Sequence, residues 1–320
     1  MLNTVPARAA ATSSRSSYLD TLSAAWAQHL APRAENAPTV ISTFAGCGGS
    51  SLGYSMAGFR ELLAVEWDQN AVDTFRLNFP DVPVYHGDIA ALSVEDCLAR
   101  TGLQPGELDV FDGSPPCQGF STAGKRMIDD PRNQLFREYV RLLRGLRPKV
   151  FVMENVSGMV KGKMKLIFAD ILRELKASGY KVSARLMNAM YFNVPQSRER
   201  MIFIGVREDL AVEPSHPKAA AAELAIGSVF PEVLATRSMK INPWITNRRA
   251  AATVTKTDSD YQFKVANGWR KPMLPEVSIL GSYPTSYQWH KDAWARIGNS
   301  VPPLFMRSIA QHIRECILHA

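Results

Sequence analysis

With 320 residues, 46% of them hydrophobic, the chain is long enough for one large domain, or one domain and a small companion. A formal charge of +7 suits an anionic partner. No apolar run approaches the roughly 18 residues a membrane span needs, and Cys47, Cys97, Cys117 and Cys316 show no CxxC spacing, which argues against zinc or a disulfide framework and for a reducing, intracellular setting.

Residues 1 to 38 are rich in Ala, Ser and Arg and read as a flexible leader, with a short helix predicted from Tyr18 to Leu30. Order sharpens at Val40-Ile41-Ser42-Thr43-Phe44, a β-branched run that meets Ala45-Gly46-Cys47-Gly48-Gly49 and then a helix start at Leu52. Strand, glycine-rich turn and helix make the first βα turn of a nucleotide-type sheet, where backbone can approach a ligand closely. Leu62 to Val65 is a second strand ending on Glu66 and Trp67. An acid at this place accepts from ribose hydroxyls, and the indole can cover an adenine. A third strand, Val82 to His86, delivers Asp88 and Ile89 to the same edge. Either acid could instead be a helix cap. Three successive strand ends with ligand-type residues favour a cofactor, and the lack of a basic set for pyrophosphate favours S-adenosylmethionine over a dinucleotide.

The strand Leu108 to Asp112 runs into Gly113-Ser114-Pro115-Pro116-Cys117-Gln118-Gly119-Phe120-Ser121. Two prolines fix two φ angles, so the cysteine follows a rigid path from the carboxyl end of a strand. A lone cysteine is more often a small buried hydrophobe. The basic residues that follow, Lys125 and Arg126, favour a thiolate and welcome a phosphate. A helix is predicted from Leu135 to Leu146, and the strand Lys149 to Met153 carries Glu154 to the edge that holds Cys117. A helix from Met164 to Gly179 and a strand from Tyr180 to Leu186 come next. Gln196-Ser197-Arg198-Glu199-Arg200 then opens another strand, with its two arginines predicted on one face.

Residues 207 to 272 change character: an Ala-rich stretch, then polar, basic text with Arg237, Lys240, Arg248, Arg249 and Lys264 interleaved with Trp244, Tyr261 and Trp269. Such interleaving suits a nucleic-acid surface. At the end of the chain, Ala295-Arg296-Ile297-Gly298-Asn299-Ser300-Val301-Pro302-Pro303 starts a helix that runs toward Leu318, with Pro at its first turn.

The order of these motifs, Phe44 to Gly49, Pro115-Pro116-Cys117-Gln118, Glu154-Asn155-Val156, Gln196 to Arg200 and Gly298 to Pro303, resembles that of the cytosine-C5 DNA methyltransferases. The likeness covers about Val40 to Val206 and Leu274 to the C-terminus. The segment Pro275 to Pro284 keeps Glu276, Leu280 and Pro284 of the family pattern but lacks its two arginines. The resemblance implies an α/β fold: a doubly wound, mostly parallel, Rossmann-like sheet of the class I S-adenosylmethionine-dependent methyltransferases. A catalytic domain would occupy 39–206, a small target-recognition lobe 207–272, and a C-terminal segment 273–320 would return to the catalytic domain.

It further implies Cys117 as nucleophile, Glu154 at N3 and the exocyclic amine of cytosine, Arg200 at O2, and Arg198 on a phosphate or the catalytic loop. Phe44, Gly46, Gly48, Glu66, Trp67, Asp88, Ile89, Pro115, Leu135, Asn299, Ser300 and Val301 would bind S-adenosylmethionine, with no metal. Gln118, Ser121, Thr122, Lys125, Arg126, Arg248 and Arg249 would meet double-stranded DNA. A cytoplasmic monomer acting beside a companion restriction endonuclease completes the expectation. A transfer-RNA methyltransferase of the same branch would share this chemistry, but the Cys-Phe-Thr insert typical of that branch is absent. A non-catalytic accessory subunit is disfavoured by the intact Cys117, Glu154 and Arg200, and an oxidoreductase has no use for the Pro-Cys turn.

Overall fold

A computed structural model describes residues 7–116, 134–160, 164–238, 241–257 and 261–319. Alternation of small and large apolar residues makes each central strand two-faced. In β1 (Thr39–Thr43), Val40 faces one core and Ile41 the other. β2 (Arg60–Glu66), β4 (Val110–Gly113) and β5 (Val150–Val156) follow the same rule, as a sheet covered on both sides requires. With β3 (Val84–His86), β6 (Tyr180–Asn188) and β7 (Glu199–Arg207), they form a seven-stranded sheet ordered β3-β2-β1-β4-β5-β7-β6. β1 to β5 pair in parallel, while β7 runs antiparallel to both β5 and β6.

Strand order reverses between β1 and β4, so their carboxyl ends open a crevice at the switch point. Helices α2 (Gly49–Met56) and α3 (Gln69–Asn78) follow β1 and β2. Asp68 caps α3, its side chain accepting from Ala71 N at 2.9 Å. On the other face lie α4 (Val94–Thr101), α5 (Gln134–Leu146) and α6 (Met164–Lys176).

One expectation changes here. The first 38 residues are not simply a flexible leader. α1 spans Ala7–Leu30, and Tyr18, Leu22 and Ala25, one face at helical spacing, are buried in the core. The helix expected toward Leu318, with Pro at its first turn, is α10 (Pro303–Ile313), and a separate short helix, α9 (Ala293–Asn299), stops before it at Ser300. Pro302 and Pro303 lack the N–H groups a continuous helix would need. α10 lies against α2, which brings the chain end back to the first crossover. After α7 (Ile226–Val229), the strands β8 (Ala235–Ser238), β9 (Ile241–Thr246), β10 (Gln262–Val265) and β11 (Gly268–Arg270) form an antiparallel sheet ordered β11-β10-β8-β9. Its inner face holds Tyr261 and Phe263, packed on Phe230 and Trp294. α8 (Leu274–Leu280) follows, anchored by Glu276, which accepts from Arg270 at 2.6 and 2.7 Å and from Met273 N at 2.7 Å. Among the described residues no helix is long and apolar enough to cross a membrane.

Candidate active site

Two joined cavities, of about 240 and 300 Å³, open at the carboxyl ends of β1, β2 and β4. The smaller is mostly apolar, walled by Phe44, Trp67, Ile89, Pro116 and Leu135, with Asp88 at its rim. Trp67 is 77% exposed, an unusual state for an indole and one that a flat aromatic ligand would relieve. The larger is polar, walled by Gly46, Gly49, Ser50, Asn299, Ser300 and Val301. Asp68, Lys256 and Arg296 also line it, and Arg296 Nη1 lies 3.0 Å from Asp68 Oδ1.

Glu66 and Phe44 belong to both cavities. Glu66 Oε2 accepts from Gly46 N at 2.8 Å, and Oε1 from Trp67 N and Asp68 N at 2.9 Å each. The acid thereby fixes the glycine turn while keeping lone pairs for a further donor. Phe44 holds φ at 56°, a left-handed value rare for an aromatic residue, and it turns the chain sharply from β1 into the loop. An apolar slot for a purine, a carboxylate at the junction for a diol and a polar, charged end for an amino acid fit S-adenosylmethionine.

Two of the residues predicted to hold the cofactor, Pro115 and Gly48, do not line either cavity. Pro116 lines both cavities, whereas the Pro115 carbonyl is occupied by Asn155 Nδ2 at 3.1 Å. Gly48 lies beneath the loop: a Cβ there would sit 2.6 Å from Phe79 Cε2, so this glycine serves close packing, and Gly49 is the one that lines the cavity. Cys47 is buried and pushed up to about 11 by that burial, which leaves it a thiol at neutral pH.

Glu154, half-buried near the end of β5, meets Arg200 of β7, Oε1 to Nε, at 2.5 Å. Register places Arg200 opposite Val156, two residues beyond Glu154 on the same face. The arginine and glutamate side chains are 15% and 12% exposed, which is enough to reach a ligand from one side. Asn155 ties this strand end to the Pro115–Pro116 turn, so the acid, the arginine and the root of the Cys117 segment share one edge. Cys117, Gln118, Ser121, Thr122, Lys125 and Arg126 lie outside the described residues.

Arg198 stands two residues before Arg200, and the charges of Arg200 and Glu154 both act on it. It is fully buried, with Nη1 donating to Val254 O at 3.1 Å and Nη2 to Gly298 O at 2.8 Å. Burial lowers its pKa to about 9, so it remains a cation. Its terminal nitrogens tie β7 to the lobe's return segment and to the Gly298-Asn299-Ser300 turn. Arg249 is likewise engaged: it pairs with Glu223, while Arg248 is exposed in the turn after β9. On the outer face of the lobe sheet, Arg237 lies 4.5 Å and Lys264 5.7 Å from the Trp269 ring, beside a half-exposed Trp244.

Asp68, Lys256 and Arg296 are cavity residues that sequence reasoning missed. Asp68 follows Glu66 and Trp67 at the end of the second strand, and the other two come from segments about 190 and 230 residues further along the chain than Asp68 (256 − 68 and 296 − 68).

Comparison with known proteins agrees with this geometry. The model of the C-5 cytosine-specific DNA methylase family matches residues 38–242. The Type II methyltransferase M1.HphI of Haemophilus parahaemolyticus is 38% identical over 262 residues, covering 79% of this chain and 68% of that protein. M.AquIA of Picosynechococcus is 45% identical over 177 residues, 52% of this chain and 71% of its own. Among solved structures, a putative DNA modification methyltransferase encoded within an E. coli prophage superposes with a TM-score of 0.68 at 24% identity, covering 88% of this chain and all of that one. The S. pombe Dnmt2 methyltransferase gives 0.66 at 19%, over 87% and 99%. With the family model spanning more than half of its length, the chain belongs to the C-5 cytosine-specific DNA methylases and is a DNA cytosine-5 methyltransferase.

Proposed function

We propose that the protein methylates C5 of a cytosine drawn out of duplex DNA, through a covalent bond between Cys117 and C6, with S-adenosylmethionine as donor and S-adenosylhomocysteine as product. The observation that carries this reading is the Glu154–Arg200 pair beside the Pro115–Pro116 turn. O2, N3 and the N4 amine form one edge of cytosine, and an arginine next to a carboxylate offers donors for O2 and a partner for N3 and N4.

Cytosine C5 is a poor nucleophile while the ring is aromatic. Addition of the Cys117 thiolate to C6, with a proton delivered to N3 from Glu154, converts C5 into an enamine carbon. When bound, S-adenosylmethionine supplies an electrophilic methyl group. Phe44, Trp67 and Ile89 would hold its adenine, Glu66 its ribose, and the Asn299–Val301 turn its amino-acid end. A base then removes the C5 proton, the C5–C6 double bond reforms, and the thiolate leaves. The target atoms are inaccessible inside a stacked duplex, so the base must be flipped.

The lobe sheet, with Arg237, Lys264, Trp244 and Trp269 on its outer face, supplies cations and aromatic surface for DNA. The Type II names of its relatives support a companion restriction endonuclease of the same site, and the protein would work beside it as a cytoplasmic monomer. Transfer of labelled methyl groups from S-adenosylmethionine to duplex DNA, against transfer to transfer RNA, tests the substrate. Label should enter DNA, and label confined to transfer RNA would overturn the reading.

A further inference from the structure

The family match begins at residue 38, yet α1 lies before it with a buried face. Its last turn reaches the underside of the cofactor loop. Gly48, at φ 89°, rests on Phe75, Phe79 and Tyr287, whose hydroxyl lies 3.1 Å from where a Gly48 Cβ would be. The same hydroxyl donates to the Cys47 carbonyl. Trp26 stands edge-on to Tyr287, centroids 6.2 Å apart at 76°, and His29 stands edge-on to Phe79 at 5.0 Å and 70°. Trp26 and His29 are themselves in contact, at 4.8 Å.

Polar contacts hold this turn of α1 in register. His29 Nε2 meets the Asn78 carbonyl at 3.1 Å, so that nitrogen carries the proton, and Nδ1 accepts from Ser55 Oγ at 2.8 Å. Arg33 Nη2 donates to Ser55 O at 2.7 Å and to Ser55 Oγ at 2.8 Å. Asn78, at the end of α3, is in turn joined to Gln288 by two hydrogen bonds, of 2.8 and 2.9 Å. The α1 side chains therefore grip α2, α3 and the Tyr287 segment, the three elements that floor the loop.

We infer that α1 is a positioning element for cofactor binding, with Trp26 and His29 bracing Tyr287 and Phe79 so that the Cys47–Gly49 turn is held ready for S-adenosylmethionine. The chemical argument is one of pre-organisation. The apparent dissociation constant equals the intrinsic one divided by the fraction of molecules with a competent loop. A loop that loses its floor is competent less often, and affinity falls by that factor. Once the cofactor is bound the loop is fixed, so turnover at saturation is unaffected.

This inference rests on the cofactor site described above, and calorimetry with S-adenosylhomocysteine on the full chain separates the two. If the wild type does not bind, the cofactor site itself is misassigned. If it binds, Trp26→Ala should raise the dissociation constant by about three- to tenfold and raise KM for S-adenosylmethionine in parallel, with kcat nearly unchanged. Trp26→Phe should restore both. Leu22→Ala, one turn earlier on the buried face of α1, should lower thermal stability without weakening cofactor binding. Tyr287→Phe, which removes only the hydroxyl on the Cys47 carbonyl, should weaken binding in the same direction and keeps the test open if Trp26→Ala does not fold. Wild-type affinity in Trp26→Ala or in Tyr287→Phe, or an equal loss in Leu22→Ala, overturns the inference.

Discussion

Glu61 is the residue whose placement has the clearest consequence for solution behaviour. It lies near the start of β2, and its carboxyl is turned inward, with Oε1 accepting from Ser51 Oγ at 2.9 Å and Oε2 lacking a partner among the described residues. Burial pushes it up to about 7, against hydrogen bonds that pull the other way. Burial and the Glu61 charge also raise Asp112, which accepts from Tyr54 at 3.2 Å. In the unfolded chain Glu61 ionises from about 4.5, the ordinary carboxyl value, while the folded protein retains the proton to about 7. Its contribution is therefore fully present below 4.5 and is lost as pH rises to about 7. Glu61→Gln keeps an acceptor for Ser51 and removes the titration. Urea unfolding should show the variant gaining on the wild type between about pH 5 and pH 8. A difference that stays constant with pH would contradict a buried proton at this site.

Among the elements, the parallel core is the part most legible in the sequence. Uninterrupted apolar runs identify buried strands, and acids at their ends identify the ligand edge, so the residues alone place Glu66, Asp88 and Glu154. The lobe is opaque for physical reasons. Its strands are three to six residues long, β8 carries a register shift between Thr236 and Ser238, and Pro243 interrupts β9. Short, bulged strands with one polar face leave no clear period of two. The partners of Arg198 and Arg249 are equally invisible in the sequence, since Gly298 and Glu223 are brought to them only by the fold. We predict that Arg248, exposed in the turn after β9, reads a guanine of the target. Replacing it with Ala should relax one base pair of the target, at about 1–3 kcal/mol. Lys264→Ala should weaken every site alike and flatten the salt dependence. Bisulfite sequencing of DNA from cells expressing each variant reads both, and an unaltered site preference in Arg248→Ala would move recognition elsewhere.

For the whole molecule, the two ends of the chain converge on one loop. α10 lies on α2, the Gly298–Val301 turn walls the cofactor cavity, and α1 braces the floor beneath it, so the Cys47–Gly49 turn is held by segments about 270 residues apart (296 − 26, from Trp26 to Arg296). β4 and β5 then set the Pro115–Pro116 turn against Glu154 and Arg200, at the mouth of the same crevice. The proposed function puts the nucleophile at Cys117, directly after this turn. The most direct measurement is therefore covalent trapping on duplex DNA carrying 5-fluorocytosine, with S-adenosylmethionine present. Fluorine at C5 cannot leave as a proton does, so the adduct should persist and survive denaturing electrophoresis. The wild type and Cys316→Ser, which removes the exposed thiol, should trap DNA, and Cys117→Ser should trap none. Near-normal methylation by Cys117→Ser would contradict the account.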